Sequence, residues 1–86
     1  MPAVFIPTSL RRLSGGVATV AVSEGTIDSI VGELDRRFPG MRDGLIENDA
    51  LRPGVIASID GEQTSWLLQH VPEAAELHFV LAISGG

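Results

Sequence analysis

The chain closes on two glycines, Gly85-Gly86, directly behind an apolar run, and so offers a carboxylate on a backbone stripped of side chains. Glycine lacks a Cβ, so such a pair can lie extended in a channel too narrow for other residues. The reactive group this arrangement presents is the C-terminal carboxyl of Gly86, with Gly85, Ser84 and Ile83 as the slender approach that another protein's active site would recognise. An ionised carboxylate is a poor electrophile at neutral pH, so acyl chemistry there requires that it first be activated.

The remaining candidates read as structure or as surface. Strand alternation sends His78 outward with Val80 and Ala82, so the trio reads as a partner surface rather than a catalytic one, with a plain solvent-facing histidine as the equal alternative. His70, beside Val71-Pro72, reads as structural or exposed. Asp60-Gly61-Glu62 reads as a hairpin turn before it reads as a metal site. Gly15-Gly16 lacks both the fuller glycine pattern and the following helix that a phosphate site needs, so it too reads as a turn. Trp66, next to Leu67-Leu68, reads as cover for one end of the core. None of these motifs reads first as a metal or phosphate site.

Two missing residue types bear on the same chemistry. There is no cysteine, hence no thiol nucleophile, disulfide or thiolate metal site. All six basic residues are arginine, which leaves the N-terminal amine as the ordinary amine nucleophile. An activated carboxyl could not readily acylate its own chain or build lysine-linked chains; a genome that prefers arginine would give the same composition.

These groups must be positioned by a small fold. With 86 residues the chain is expected to be one domain, 1–86, with 83–86 expected as a flexible tail and most of its apolar residues in a single core. A hydrophobic fraction of 44% with 20% charged residues describes a globular chain with no membrane span. No basic and then apolar leader opens it, so a cytoplasmic protein is expected. The net charge of −5, with basic pairs at Arg11-Arg12 and Arg36-Arg37 alone, argues against nucleic acid as a partner.

Val4, Phe5 and Ile6 open a first strand running toward Leu10, with Pro7 marking an edge or an end. After the Ser14-Gly15-Gly16 turn, Val17 to Val22 forms a second strand, Val20 and Val22 on one face and Thr19 and Ala21 on the other. Thr26 is a helix N-cap with Asp28 in the first turn. Ile27, Ile30, Val31, Leu34 and Phe38 follow at i, i+3, i+4, i+7 and i+11, one apolar helix face, and Phe38-Pro39-Gly40 stops it. Gly32 within this helix either allows close approach to the sheet or is merely tolerated.

From Met41 to Gly54 the pattern is irregular, with Leu45, Ile46 and Leu51 as anchors and Arg52-Pro53-Gly54 as a turn. Val55 to Ile59 is a third strand, Asp60-Gly61 a hairpin turn, and Gln63 to Ser65 a short return strand. Val71-Pro72-Glu73 breaks the chain again. Glu76 to Ala82 is the last strand, with Leu77, Phe79 and Leu81 facing one way. Strand, strand, helix, strand, short strand, strand implies an α+β fold with a small mixed sheet and one main helix across one face.

This order, with the closing glycine pair, resembles the ubiquitin-like β-grasp and, within it, the bacterial sulfur carriers of the MoaD/ThiS family. Leu77-His78-Phe79-Val80-Leu81-Ala82-Ile83-Ser84-Gly85-Gly86 is similar to ubiquitin's last strand and tail, although Ala82 and Ser84 stand where ubiquitin has basic residues. Ile6-Pro7-Thr8, Leu10-Arg11 and Gly15-Gly16 resemble the opening of the carriers that serve thiocarboxylate-dependent cysteine synthesis. Leu67-Leu68 replaces a glycine pair that sulfur carriers often have, and Glu73-Ala74-Ala75 replaces an acidic glycine turn.

The resemblance implies a carrier that is not itself an enzyme and binds no cofactor. An adenylating, ubiquitin-activating-like enzyme would use ATP to activate Gly86, and a rhodanese or persulfide enzyme would supply sulfur. The thiocarboxylate would pass to a biosynthetic enzyme for cysteine, molybdopterin, thiamine or a specialised metabolite, and a metalloprotease could release the product. The same resemblance leaves open a protein modifier joined through Gly86, or a β-grasp interaction module that carries no sulfur.

Overall fold

The helix begins where the sequence places its cap. In a computed structural model, which describes residues 1–81, the Thr26 hydroxyl accepts a hydrogen bond from the Ser29 N–H at 3.1 Å. Two further N–H groups of the first turn are satisfied across the fold, Ile27 by the Gln69 carbonyl at 3.0 Å and Asp28 by the Leu67 carbonyl at 2.8 Å. Helix starts leave such donors without internal partners, so these bonds tie the loop after residue 65 to the helix.

Along the chain come β1 (Ala3–Phe5), a 3-10 helix (Thr8–Ser14), β2 (Thr19–Ala21), β3 (Gly25–Thr26) and α1 (Ile27–Arg37). Then follow α2 (Met41–Leu45), β4 (Ile46–Glu47), β5 (Ala50–Leu51), β6 (Val55–Ile59), β7 (Glu62–Thr64), β8 (His70–Val71) and β9 (Glu76–Leu81). Five strands form one mixed sheet in the order β2-β1-β9-β6-β7, in which β1 and β9 are parallel neighbours and the other pairs are antiparallel. This is the open α+β β-grasp sheet with its main helix packed across one face.

The helix stripe is the core's lid. Ile27, Ile30, Val31 and Leu34 are buried against Val4, Val20, Ala57, Leu77 and Phe79 of the sheet. Phe38 ends the helix as its C-cap, half-buried against that core with the Arg37 guanidinium 5.7 Å from its ring centre. A Cβ at Gly32 would meet the Arg36 guanidinium at 3.7 Å, an ordinary contact, so the glycine is tolerated rather than needed for close packing.

Three segments differ from their sequence patterns. The first strand stops at Phe5 instead of running toward Leu10, because Pro7 donates nothing to a ladder and its carbonyl accepts from the Leu10 N–H at 2.9 Å. The resulting 3-10 helix folds Leu10 into the core, and Gly15 and Gly16, at φ +66° and +90°, close it. The stretch read as irregular after Met41 holds α2 and the small β4–β5 hairpin, in which Met41, Leu45 and Ile46 are buried.

Trp66 and its neighbours are the third difference. Only Leu67 of the three turns toward the core, whereas Trp66 is 61% and Leu68 60% exposed. The bond from Asp28 to the Leu67 carbonyl sets that register and leaves the flanking side chains in solvent.

The Asp60-Gly61 turn is a two-residue hairpin loop with both residues at positive φ, +48° and +88°. Asp60 also joins β6 to β9, its carboxylate accepting from the Glu76 N–H at 2.9 Å and its own N–H donating to the Glu76 carbonyl at 3.0 Å. Asp60→Asn should therefore keep near-native stability, whereas Asp60→Ala should lose about 1–2 kcal/mol. Thr26→Ala should cost about 1 kcal/mol through the lost cap. Chemical denaturation followed by circular dichroism checks all three.

Candidate functional site on the outer face of the sheet

Alternation along β9 decides what the end of the chain presents. Leu77 and Phe79 are buried, at 0% and 3% exposure, which turns His78 and Val80 to the opposite face. That face is the one away from α1. There His78 lies beside Phe5 of β1 and Ser58 of β6, while Val80 lies opposite Ile56 of β6.

The His78 ring stacks on Phe5 with centroids 4.0 Å apart and planes 5° from parallel. Its Nε2 is 3.2 Å from a Glu76 carboxylate oxygen, a pairing between partly exposed groups that orients the ring. Val80 is 55% exposed. Together Phe5, His78, Val80 and Ile56 make an apolar patch with one polar edge, suited to contact with a protein surface.

Beside this patch a groove of about 380 Å³ runs between the end of β9 and the segment that enters the 3-10 helix. Pro7, Thr8 and Arg11 form one wall; His78, Val80 and Leu81 form the other. The Arg11 Nε donates to the Ile6 carbonyl at 3.0 Å, which holds the side chain along the groove. Leu81 pairs with Val55, so the groove lies at the end of the sheet from which the chain continues toward Ala82.

Of the expected site residues, His78 and Val80 are thus brought together on one surface. Ala82, Ile83, Ser84, Gly85 and Gly86 lie outside the described residues. Phe5, Ile56 and Arg11 join the site without having been singled out as candidates. Ile56 was legible in principle, since Val55 and Ala57 on either side of it face inward. The stack on Phe5 was not, because it depends on the parallel pairing of β1 with β9.

The other polar candidates sit elsewhere. His70 pairs with Glu24 at 2.7 Å, on the short β3–β8 ladder. Glu73 meets the Met1 amine at 2.7 Å, and that hydrogen bond and charge hold its carboxyl below the ordinary glutamate value. Among the described residues no group of three or more histidine and acidic side chains is placed to hold a metal, and no helix is long and apolar enough to cross a membrane.

No family model matches the chain, and no curated protein does. Solved structures do. CysO in the Amycolatopsis orientalis BexX/CysO complex superposes with a TM-score of 0.92 at 25% identity, covering 100% of both chains. Mycobacterium tuberculosis CysO gives 0.87 at 21% identity over 96% of this chain and 100% of that one. SAMP1 from Haloferax volcanii gives 0.74 at 18% identity over 99% and 98%. The chain is a structural homologue of the MoaD/ThiS-like β-grasp sulfur carriers. By that homology its general role is that of a carrier rather than a catalyst.

The carrier's outer face rests on the aromatic stack, which offers a direct check. Phe5→Ala should lower stability by about 1–2 kcal/mol and move the His78 ring-proton resonances downfield as the ring current is lost. Denaturant titration and proton NMR measure the two effects.

Proposed function

We propose that this chain carries sulfur as a thiocarboxylate on Gly86 and hands it to a biosynthetic enzyme, with cysteine synthesis favoured. The observation that carries the reading is the full-length likeness to CysO at a TM-score of 0.92, in a chain that continues from β9 into Ile83-Ser84-Gly85-Gly86. The opening residues Ile6-Pro7-Thr8, Leu10-Arg11 and Gly15-Gly16 support the cysteine-linked branch. That CysO of Amycolatopsis orientalis forms a complex with BexX supports a protein partner for this fold.

The chemistry follows from the carboxylate. An adenylating enzyme uses ATP to join AMP to the Gly86 carboxyl and releases pyrophosphate, which exchanges a hopeless leaving group for a good one. A persulfide from a sulfur-donor enzyme then displaces AMP. A thiol cleaves the acyl disulfide so formed, leaving the thiocarboxylate. Sulfur is soft and polarisable, so this product is a competent nucleophile in water, and the acceptor enzyme takes the sulfur from it.

In this scheme the carrier's own residues bind and orient. Gly85 and Gly86 fit the narrow entry to the partner's active site, while Ser84 and Ile83 extend the reach from the sheet. Phe5, His78 and Val80 form the docking patch at the root of the tail, joined by Ala82 in the strand pattern. The net charge of −5 favours encounter with basic clefts. Conjugation through Gly86 to lysines on target proteins is the second reading, and target peptides with a glycine pair left on lysine would favour it.

Deleting Gly86 should abolish ATP-dependent activation by the cognate adenylating enzyme, read as pyrophosphate release, while the thermal melt stays unchanged. Retained activation would refute the assignment of Gly86. Val80→Ser should weaken binding to that enzyme about tenfold, measured by calorimetry, and change stability by no more than about 1 kcal/mol.

A further inference from the structure

The opposite edge of the sheet holds a second surface that the tail chemistry does not use. β7 is the last strand in the order β2-β1-β9-β6-β7, and β9 and β6 lie between it and β1. Its pairing with β6 joins Ile59 to Glu62 across the two-residue turn and Ala57 to Thr64 two residues on. Those are the hydrogen-bonded pairs of such a hairpin, so the intervening Ser58–Gln63 pair is not. The Gln63 N–H and C=O therefore point away from β6, toward the open edge.

A groove of about 350 Å³ lies along this edge. Asp60, Glu62 and Gln63 form its strand side, and Gln69 and His70 form the wall across from them. His70 is engaged by Glu24, which adds a third carboxylate nearby. No arginine lines the groove, and Arg42 pairs with Asp28 at 3.0 Å.

The loop that leads into the far wall presents Trp66 and Leu68 to solvent, each about three-fifths exposed. It is held firmly for a loop. The Trp66 N–H donates to the Thr64 hydroxyl at 3.3 Å, the Gln69 N–H to the Trp66 carbonyl at 3.0 Å, and the Leu67 and Gln69 carbonyls accept from the start of α1. An open strand edge supplies the main-chain groups that strand addition uses, the groove beside it carries carboxylates, and the pinned loop that follows β7 in the chain adds two large exposed apolar side chains outside the groove.

We propose that the β7 edge takes an extended basic and apolar segment of a partner protein as an added strand. Gln63 supplies the main-chain hydrogen bonds, Asp60 and Glu62 receive arginine or lysine, and Trp66 and Leu68 receive the apolar side chains. Charge selects this occupant. A second copy of the chain paired antiparallel through Gln63 would bring no lysine or arginine to Asp60 and Glu62, since residues 59–69 contain none, and an anionic nucleic acid or membrane would be repelled. The site is independent of Gly86, so a carrier can hold one protein here while its tail is in use elsewhere.

The test titrates the protein with a short peptide of alternating arginine and valine, and with its glutamate and valine counterpart. Trp66 is the chain's single tryptophan, so its emission reports the site directly. The basic peptide should shift that emission to the blue with saturation and slow exchange of the Gln63 amide at least several-fold. Asp60→Asn with Glu62→Gln should weaken binding about tenfold or more. Trp66→Ser with Leu68→Ser, followed by amide NMR, should do the same, and deletion of Gly85-Gly86 should change nothing.

The proposal is overturned by equal binding of the acidic peptide, by an unprotected Gln63 amide at saturation, or by the absence of saturable binding. Self-association of the free protein through Gln63 would also overturn it, by replacing the partner with a second copy. Glu62→Gln alone, at an exposed strand position, keeps the charge test available if the double variant melts early.

Discussion

The burial of Leu77 and Phe79 beneath α1 is the constraint on which the rest of this molecule turns. β9 is the central strand, parallel to β1 on one side and antiparallel to β6 on the other, and a slip of one residue would drive His78 and Val80 into the core. The hydrophobic gain from two buried side chains, about 1.5–3 kcal/mol each, thus fixes the register of the strand that leads into the tail. Orientation of the outer face follows from the packing of the inner one. So does the position of the Phe5–His78 stack, which exists because β1 and β9 are neighbours in register.

The same economy holds at the start of α1. Its unpaired N–H groups find the Leu67 and Gln69 carbonyls, so the connection between β7 and β8 is anchored by backbone bonds instead of by burial of its largest side chain. That arrangement leaves Trp66 and Leu68 in solvent beside an open strand edge. The fold therefore has two presenting surfaces built by opposite means. One is set by core packing on the far side of a strand, the other by hydrogen bonds that hold a loop in place.

Much of this was legible in the residues. The α1 stripe, the Thr26 cap, the Val55–Ile59 strand, the Asp60-Gly61 turn and the alternation of the last strand each rest on local periodicity or local turn chemistry, and each appears where that chemistry puts it. What escaped were consequences of distant contacts. Pro7 marks an edge or an end of the first strand, but the 3-10 helix that follows depends on Leu10 finding the core. Trp66 beside Leu67-Leu68 reads as cover for one end of the core, and a backbone bond from Asp28 to Leu67 overrides that preference. The stack at His78 needed a parallel partner some seventy residues earlier, which no spacing reveals.

The central claim concerns one atom at Gly86, and the most direct measurement is the intact mass of the protein isolated from its own cells, with and without thiol-selective alkylation. The thiocarboxylate account expects a fraction of the chain heavier by one exchange of oxygen for sulfur, alkylated on the C-terminal peptide alone. A chain that stays at its unmodified mass even when its cognate adenylating enzyme and sulfur donor are co-produced would contradict it.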